Sequence, residues 1–269
     1  ASIMPNIPNF CIKPWVHSVI KTTGEFHPCC YTSGSTGFNI KHNNVVEWWA
    51  SDYIKNLRTE FLNNNRPEVC KICWDNEAYG ITSLRQKTNK EYKIHPKYVE
   101  QVLKHFDWPK PQPIDMELQL SNLCNLSCMM CSEVESSQLL IENKKLKISN
   151  FSQSDYNINE STINEIKKWL LTKPKLINLR GGEPTIVPEI RDLLKWAIEN
   201  NLVNDTVLHL TTNAVKFDNE WKLIVEQFKN SRIMVSIDGV GDVNNYIRFG
   251  SKWEQITTAI NIIKSIKNV

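Results

Sequence analysis

From Ile114 onward the chain alternates short extended segments with helical ones, and that alternation restricts it to few architectures. "IDMELQL" (Ile114–Leu120) alternates apolar and polar residues, as a strand does. Asn159–Leu171 has helical periodicity, and "KLINLRGGEP" then reads as a strand entering a Gly-Gly turn. Pro188–Asn200 is an expected helix, "TVLHLTTNA" a strand, Asn219–Phe228 a helix and "RIMVSIDG" a strand. "WEQITTAINIIKSI" closes the series as a strongly amphipathic helix. Strands separated by helices of this length pair in parallel through right-handed crossovers. The expected class is therefore α/β, with about four parallel strand–helix units behind a small, irregular, cysteine-rich domain. Four strands cannot close a barrel, so the sheet should be open. "SIKNV" ends directly after a helix, where another strand is expected; the chain reads either as a truncated form of a longer barrel or as a minimal one.

The segment Trp108-Pro109-Lys110-Pro111-Gln112-Pro113 carries three prolines in six residues and reads as an extended connector. It divides the expected cysteine-rich region (1–107) from the α/β region (114–269). The first region is turn-rich, as in "YTSGSTGFN", with one helix expected over Val45–Asn63 and a second over Tyr98–His105. Nine tryptophans are many for 269 residues and are expected mainly as core anchors. The net charge of +3 is too mild to argue for nucleic acid or membrane as a partner. Apolar runs are too short to span a bilayer. "ASIMPNIPNF" lacks the basic start and apolar core of a secretory signal, so a cytoplasmic location is expected.

Eight cysteines are the informative total. Without a secretion signal, metal or iron–sulfur ligation is a better expectation than disulfides. Cys11, Cys29, Cys30, Cys70 and Cys73 lie in the first region, and Cys124, Cys128 and Cys131 lie together in "CNLSCMMC". No cysteine follows Cys131. The second group directly follows the first expected strand, at the carboxyl end of the sheet, where parallel α/β proteins place their chemistry. Three thiolates hold three irons of a [4Fe–4S] cube and leave the fourth iron open to a small molecule. Spacing alone also allows a structural zinc ion completed by a distant ligand such as His209 or an amino-terminal cysteine.

The Cys-x3-Cys-x2-Cys loop resembles the signature of the radical S-adenosylmethionine (radical SAM) superfamily. Further pieces follow in the order this resemblance implies. Gly181-Gly182-Glu183-Pro184 looks like the turn that holds the methionine amino group. Thr211-Thr212-Asn213, then Ser236-Ile237-Asp238-Gly239 and Tyr246-Ile247-Arg248, fall where relatives contact the ribose and the methionine carboxylate. Glycines let carbonyls approach an ammonium, with Glu183 to neutralise it. Thr212 and Ser236 are short hydroxyls suited to a ribose, and Arg248 offers a fork for a carboxylate. Met130 stands where the superfamily usually has an aromatic residue near adenine, and its thioether can pack on a purine. The implied fold is a partial radical SAM barrel lacking the last strand–helix units.

In the first region, Cys11-x12-Gly24-x4-Cys29 with Cys70-x2-Cys73 resembles the SPASM/Twitch accessory domains. That resemblance implies an auxiliary iron–sulfur cluster on Cys11, Cys29, Cys70 and Cys73, here ahead of the barrel. A four-cysteine zinc site fits the same spacing, and His17 and His27 are nearby spare ligands. The implied activity is reductive cleavage of S-adenosylmethionine to a 5′-deoxyadenosyl radical that abstracts hydrogen. The implied partners are an electron donor such as flavodoxin or ferredoxin and a peptide or small-molecule substrate. No residue identifies itself as a general base. Glu133 and Glu135, with Lys144, Lys145 and Lys147, read as a solvated loop. The rival reading is a non-catalytic metal-binding interaction module descended from such an enzyme.

Overall fold

The computed structural model describes residues 6–152 and 158–269; residues 1–5, at the start of the stretch read above for a signal, lie outside it. The chain divides into two compact units. One comprises the described residues of Ala1–Val19 and Glu25–Asp115, the other Ile20–Gly24 and Met116–Val269.

In the first unit, helix α1 (Lys13–Val16) leads into strand β1 (His17–Ile20), which neighbours β2 (Phe26–His27). Two helices, α2 (Val45–Trp49) and α3 (Asp52–Leu62), stand where one was expected over Val45–Asn63. The break is at Ser51. Its backbone is extended and its hydroxyl accepts from the Ile54 N–H at 3.3 Å, capping α3. Asn44 and Glu47 close a capping box on α2. Helices α4 (Lys71–Ala78) and α5 (Leu84–Glu91) were not anticipated, although Ser83 and Gln86 form a capping box in sequence as in structure. Helix α6 (Val99–His105) was.

Tryptophan anchors this unit. Trp48 is fully buried, lies 5.7 Å from the Phe26 ring, and donates its indole N–H to Ser18 Oγ at 2.8 Å. Arg85 is buried as well. It grips Glu77 through two nitrogens (2.9 and 2.7 Å) and donates to the carbonyls of Pro8 and Phe10. The loop carrying Cys11 is thereby fastened to α5.

The second unit is a largely parallel sheet. Strand β3 (Asp115–Leu118) neighbours β5 (Leu176–Leu179), followed by β6 (Val207–Thr212) and β7 (Asn230–Val235). A two-residue strand, β4 (Ser127–Cys128), lies outside this sheet. The β5, β6 and β7 pairings are parallel and in register, with Asn178 beside His209 and His209 beside Arg232. Helices α7 (Ser137–Lys145), α8 (Glu160–Leu170), α9 (Pro188–Glu199) and α10 (Asn219–Val225) fill the crossovers; α11 (Asp242–Ile247) and α12 (Trp253–Lys264) follow β7, with strand β8 (Arg248–Phe249) between them.

The expected alternation is realised physically. One face of the sheet, with Ile177, Leu179, Leu208 and Leu210, is buried with the apolar stripes of the helices, including Trp169, Leu194, Trp221 and Ile256. The opposite face is polar. After α12 the Asn268 carbonyl accepts from the Ser231 N–H at 2.8 Å, so the chain returns alongside β7. Among the described residues no helix is long and apolar enough to cross a membrane.

Leu208 is wholly buried at the centre of this layer. Leu208→Ala should lower unfolding free energy by about 2–5 kcal/mol, read as a lower midpoint in urea with an unchanged slope.

Candidate functional site

The loop after β3 is held by short side chains. Ser121 Oγ accepts from the Leu123 N–H at 3.0 Å. Ser137 Oγ accepts from the Cys124 N–H (3.1 Å), and Ser136 Oγ donates to the Leu126 carbonyl (2.7 Å). The start of α7 thus serves as a rack for the cysteine loop. Further on, β4 pairs antiparallel with β8, setting Cys128 opposite Arg248. The Met129 N–H donates to the Ile247 carbonyl at 2.9 Å. Cys131 closes a turn by donating its N–H to the Cys128 carbonyl at 3.0 Å.

Cys124 and Cys128 are buried and Cys131 is half-buried. Burial pushes the Cys124 thiol up to about 11, with the Leu126 N–H pulling the other way. Cys128 and Cys131 are likewise raised by burial, opposed by Arg248 at Cys128 and by the Ser132 N–H at Cys131. Arg248 donates toward Cys128 Sγ at 3.8 Å. Its Nε stands 2.7 Å from Asp238 Oδ2, an ion pair whose N–H direction misses hydrogen-bond geometry. Arg248 and Asp238 are thus committed to each other and to the cysteine loop.

The Gly-Gly turn meets the same loop. A Cβ on Gly182, at φ +50°, would collide with the Leu123 carbonyl oxygen; one on Gly181, at φ +81°, would lie 2.7 Å from Gln119 Cβ. Two side-chain-free residues therefore let the turn close over the cysteine loop. Glu183, 1% exposed, accepts four hydrogen bonds: from Thr185 Oγ1 (2.6 Å), Thr185 N (3.1 Å), Thr212 Oγ1 (2.7 Å) and Asn213 N (2.6 Å). Burial raises its pKa while these donors oppose the shift. Its carboxylate is spent inside the protein. Pro184 is buried at the start of the following turn. Asn213 reaches back to the cysteine loop, donating to Asn125 Oδ1 at 2.9 Å.

Thr212 is buried, and its hydroxyl donates to Glu183 and accepts from the Ala214 N–H (2.9 Å). Its neighbour Thr211 is the one on the open face. Ser236 is half-buried and donates its N–H to the Thr212 carbonyl at 2.9 Å. Met130 is exposed.

Sequence reasoning missed Glu135. It is not in a solvated loop: it accepts from the Gly182 N–H, and burial raises its pKa while Lys21 and Arg180 lower it. Glu133 accepts from Asn143 Nδ2 at 2.9 Å.

These pieces stand together at the carboxyl ends of β3, β5, β6 and β7, and the radical SAM superfamily model matches residues 118–268. The chain belongs to the radical SAM superfamily. The model of the SPASM iron–sulfur cluster-binding domain matches residues 11–74. A similar protein is the sporulation killing factor maturation protein SkfB of Bacillus subtilis (strain 168), 24% identical over 143 residues. That match covers 51% of this chain and 29% of SkfB, so the chain spans less than a third of that relative's length.

The radical SAM family and the SPASM match imply S-adenosylmethionine and [4Fe–4S] clusters, one of them auxiliary. The residues present fit such groups. In unit two, three thiols share one loop, with backbone N–H donors and a guanidinium aimed at sulfur, a setting iron–sulfur thiolates use. In the SPASM region all five cysteines are free thiols. Cys11 lies within electrostatic reach of Cys29, Cys70 and Cys73, and burial raises Cys11 to about 11 and Cys70 further. Cys29 alone is lowered, because Cys30 donates to its sulfur. Buried Lys13 adds positive charge beside Cys11, Cys29 and Cys30. Among the described residues no three His, Cys, Asp or Glu side chains are gathered for one metal ion; in a four-iron cube each thiolate meets a different iron.

Glu183→Leu would leave its four donors without an acceptor in the interior. The variant should lose about 1–3 kcal/mol per unsatisfied donor at most, seen as a lowered thermal midpoint, whereas Glu183→Asp should recover part of the loss.

Proposed function

We propose that this chain holds a [4Fe–4S] cluster on Cys124, Cys128 and Cys131, with the fourth iron open to the amino and carboxylate groups of S-adenosylmethionine. The observation that carries this reading is three thiols on one loop at the sheet's carboxyl end, inside the matched family region. When bound, the cluster supplies one electron for cleavage of the sulfonium to methionine and a 5′-deoxyadenosyl radical. The chain's own residues position and shield. Gly181 and Gly182 bring backbone to the loop for an ammonium. Ser236 and Asp238 stand for ribose, Met130 for adenine, and Asn213 braces the loop through Asn125. Arg248 balances the charge of the Cys128 thiolate; the methionine carboxylate would meet its remaining N–H groups.

An auxiliary cluster falls to Cys11, Cys29, Cys70 and Cys73, with Cys30 as a hydrogen-bond donor to Cys29. The substrate is a peptide or protein. Support comes from the SPASM match and from the name of the similar protein, which describes maturation of a killing factor. A cytoplasmic flavodoxin or ferredoxin would supply the electron.

Iron content tests the ligand assignment. After anaerobic reconstitution the wild type should carry about eight irons per chain. Cys128→Ala should retain about four and form no 5′-deoxyadenosine, and Cys70→Ala with Cys73→Ala should lose the other four. Zinc in place of iron, or loss of all iron in Cys128→Ala, would contradict it.

A further inference from the structure

The polar face of the second unit's sheet holds a cleft of ≈ 100 Å³ lined by Asn178, Arg180, His209, Thr211, Arg232 and Met234, with Leu210 at its floor. Register builds it. Asn178, His209 and Arg232 sit side by side on β5, β6 and β7, and Thr211 and Met234 form the next row. Adjacent strands are about 4.8 Å apart, so these side chains share one small surface. A cleft this size has room for about three waters, or for one short side chain and not a nucleotide or sugar.

Charge on this face is sorted. Toward β3 lies Glu117, 2% exposed, accepting from Gln119 Nε2 (2.6 Å) and Asn178 Nδ2 (3.1 Å) and 3.7 Å from Arg180. Beside it Gln119 Oε1 and Thr22 Oγ1 are buried without a hydrogen-bond partner. Toward β7 stands Arg232, exposed, its side chain making no ion pair or hydrogen bond among the described residues. Barrel-lining positions are ordinarily filled by bulky apolar side chains. Here the face carries an exposed guanidinium on β7 and a buried carboxylate on β3.

We propose that this face binds an acidic peptide segment, with an aspartate or glutamate side chain in the cleft against Arg232. Arg180, already paired with Glu117, lines the cleft beside it, and Glu117 repels the carboxylate from the β3 side, which fixes the direction of the segment. From β3 to β7 is three strand spacings, about 14 Å, the reach of roughly four extended residues. The proposal rests on the peptide-modifying reading above and adds a side-chain preference to it.

The probes are two blocked peptides, acetyl-Ala-Ala-Glu-Ala-amide and its glutamine counterpart, titrated into the full chain by ligand-observed NMR. The glutamate peptide should bind about tenfold more tightly, the effect of one charge-assisted hydrogen bond. Arg232→Gln should abolish that preference, while Lys175→Gln, a change at an exposed lysine outside the cleft, should keep it. Circular dichroism checks that both variants are folded. Equal binding of the two peptides, binding of neither, or a preference surviving in Arg232→Gln would overturn the proposal. Formation of 5′-deoxyadenosine by the wild type is measured separately. Discrimination without it leaves the subsite standing and removes the radical chemistry; 5′-deoxyadenosine without discrimination does the reverse.

Discussion

One buried carboxylate holds the carboxyl edge of this sheet together. Glu183 sits in the turn after β5, yet it accepts from Thr212 and Asn213 at the end of β6, while its own N–H donates to Leu123 at 2.8 Å in the cysteine loop. Three segments distant in sequence are therefore registered to one another through a single residue, its side chain holding β6 and its main chain the cysteine loop. Burying a carboxylate costs several kcal/mol, and four charge-assisted hydrogen bonds repay a sum of similar size. Its net contribution to stability is consequently small. Its contribution to geometry is large, because any shift of the β5 turn breaks bonds to both neighbours.

The cysteine loop inherits that geometry. Buried thiols away from cations stay protonated, and burial raises all three here. The N–H groups of Leu126 and Ser132, and Arg248, oppose that rise, while the carboxylates of Glu183, Asp238 and Glu135 add to it. Such a site is poorly suited to an isolated anion and well suited to thiolates that share charge with irons. The SPASM region solves the same problem with Lys13 and with the Cys30 thiol beside Cys29.

Much of this was legible in sequence because the period of apolar residues reports directly on burial. The parallel strand–helix order of unit two followed from it, and Cys-x3-Cys-x2-Cys after the first strand located the site. What escaped was set by side-chain contacts between distant segments. Ser51 looks like helix surface until its hydroxyl is seen capping α3. Thr211 and Thr212 differ only in which face of β6 they occupy, and Glu183 placed Thr212 in the interior. The double glycine read as room for a ligand; it also makes room for Leu123. Glu135 read as solvated because its partners, Lys21, Arg180 and Gly182, lie far off in the chain.

The central claim is an iron left open by a three-thiol loop and occupied by S-adenosylmethionine. Electron–nuclear double resonance on the reduced, reconstituted chain tests it directly, using S-adenosylmethionine carrying a ¹⁵N amino group. The account predicts a ¹⁵N coupling to the cluster that disappears when unlabelled S-adenosylmethionine is used and is absent in Cys128→Ala. A reduced four-iron cluster that shows no ¹⁵N coupling at saturating S-adenosylmethionine would contradict it.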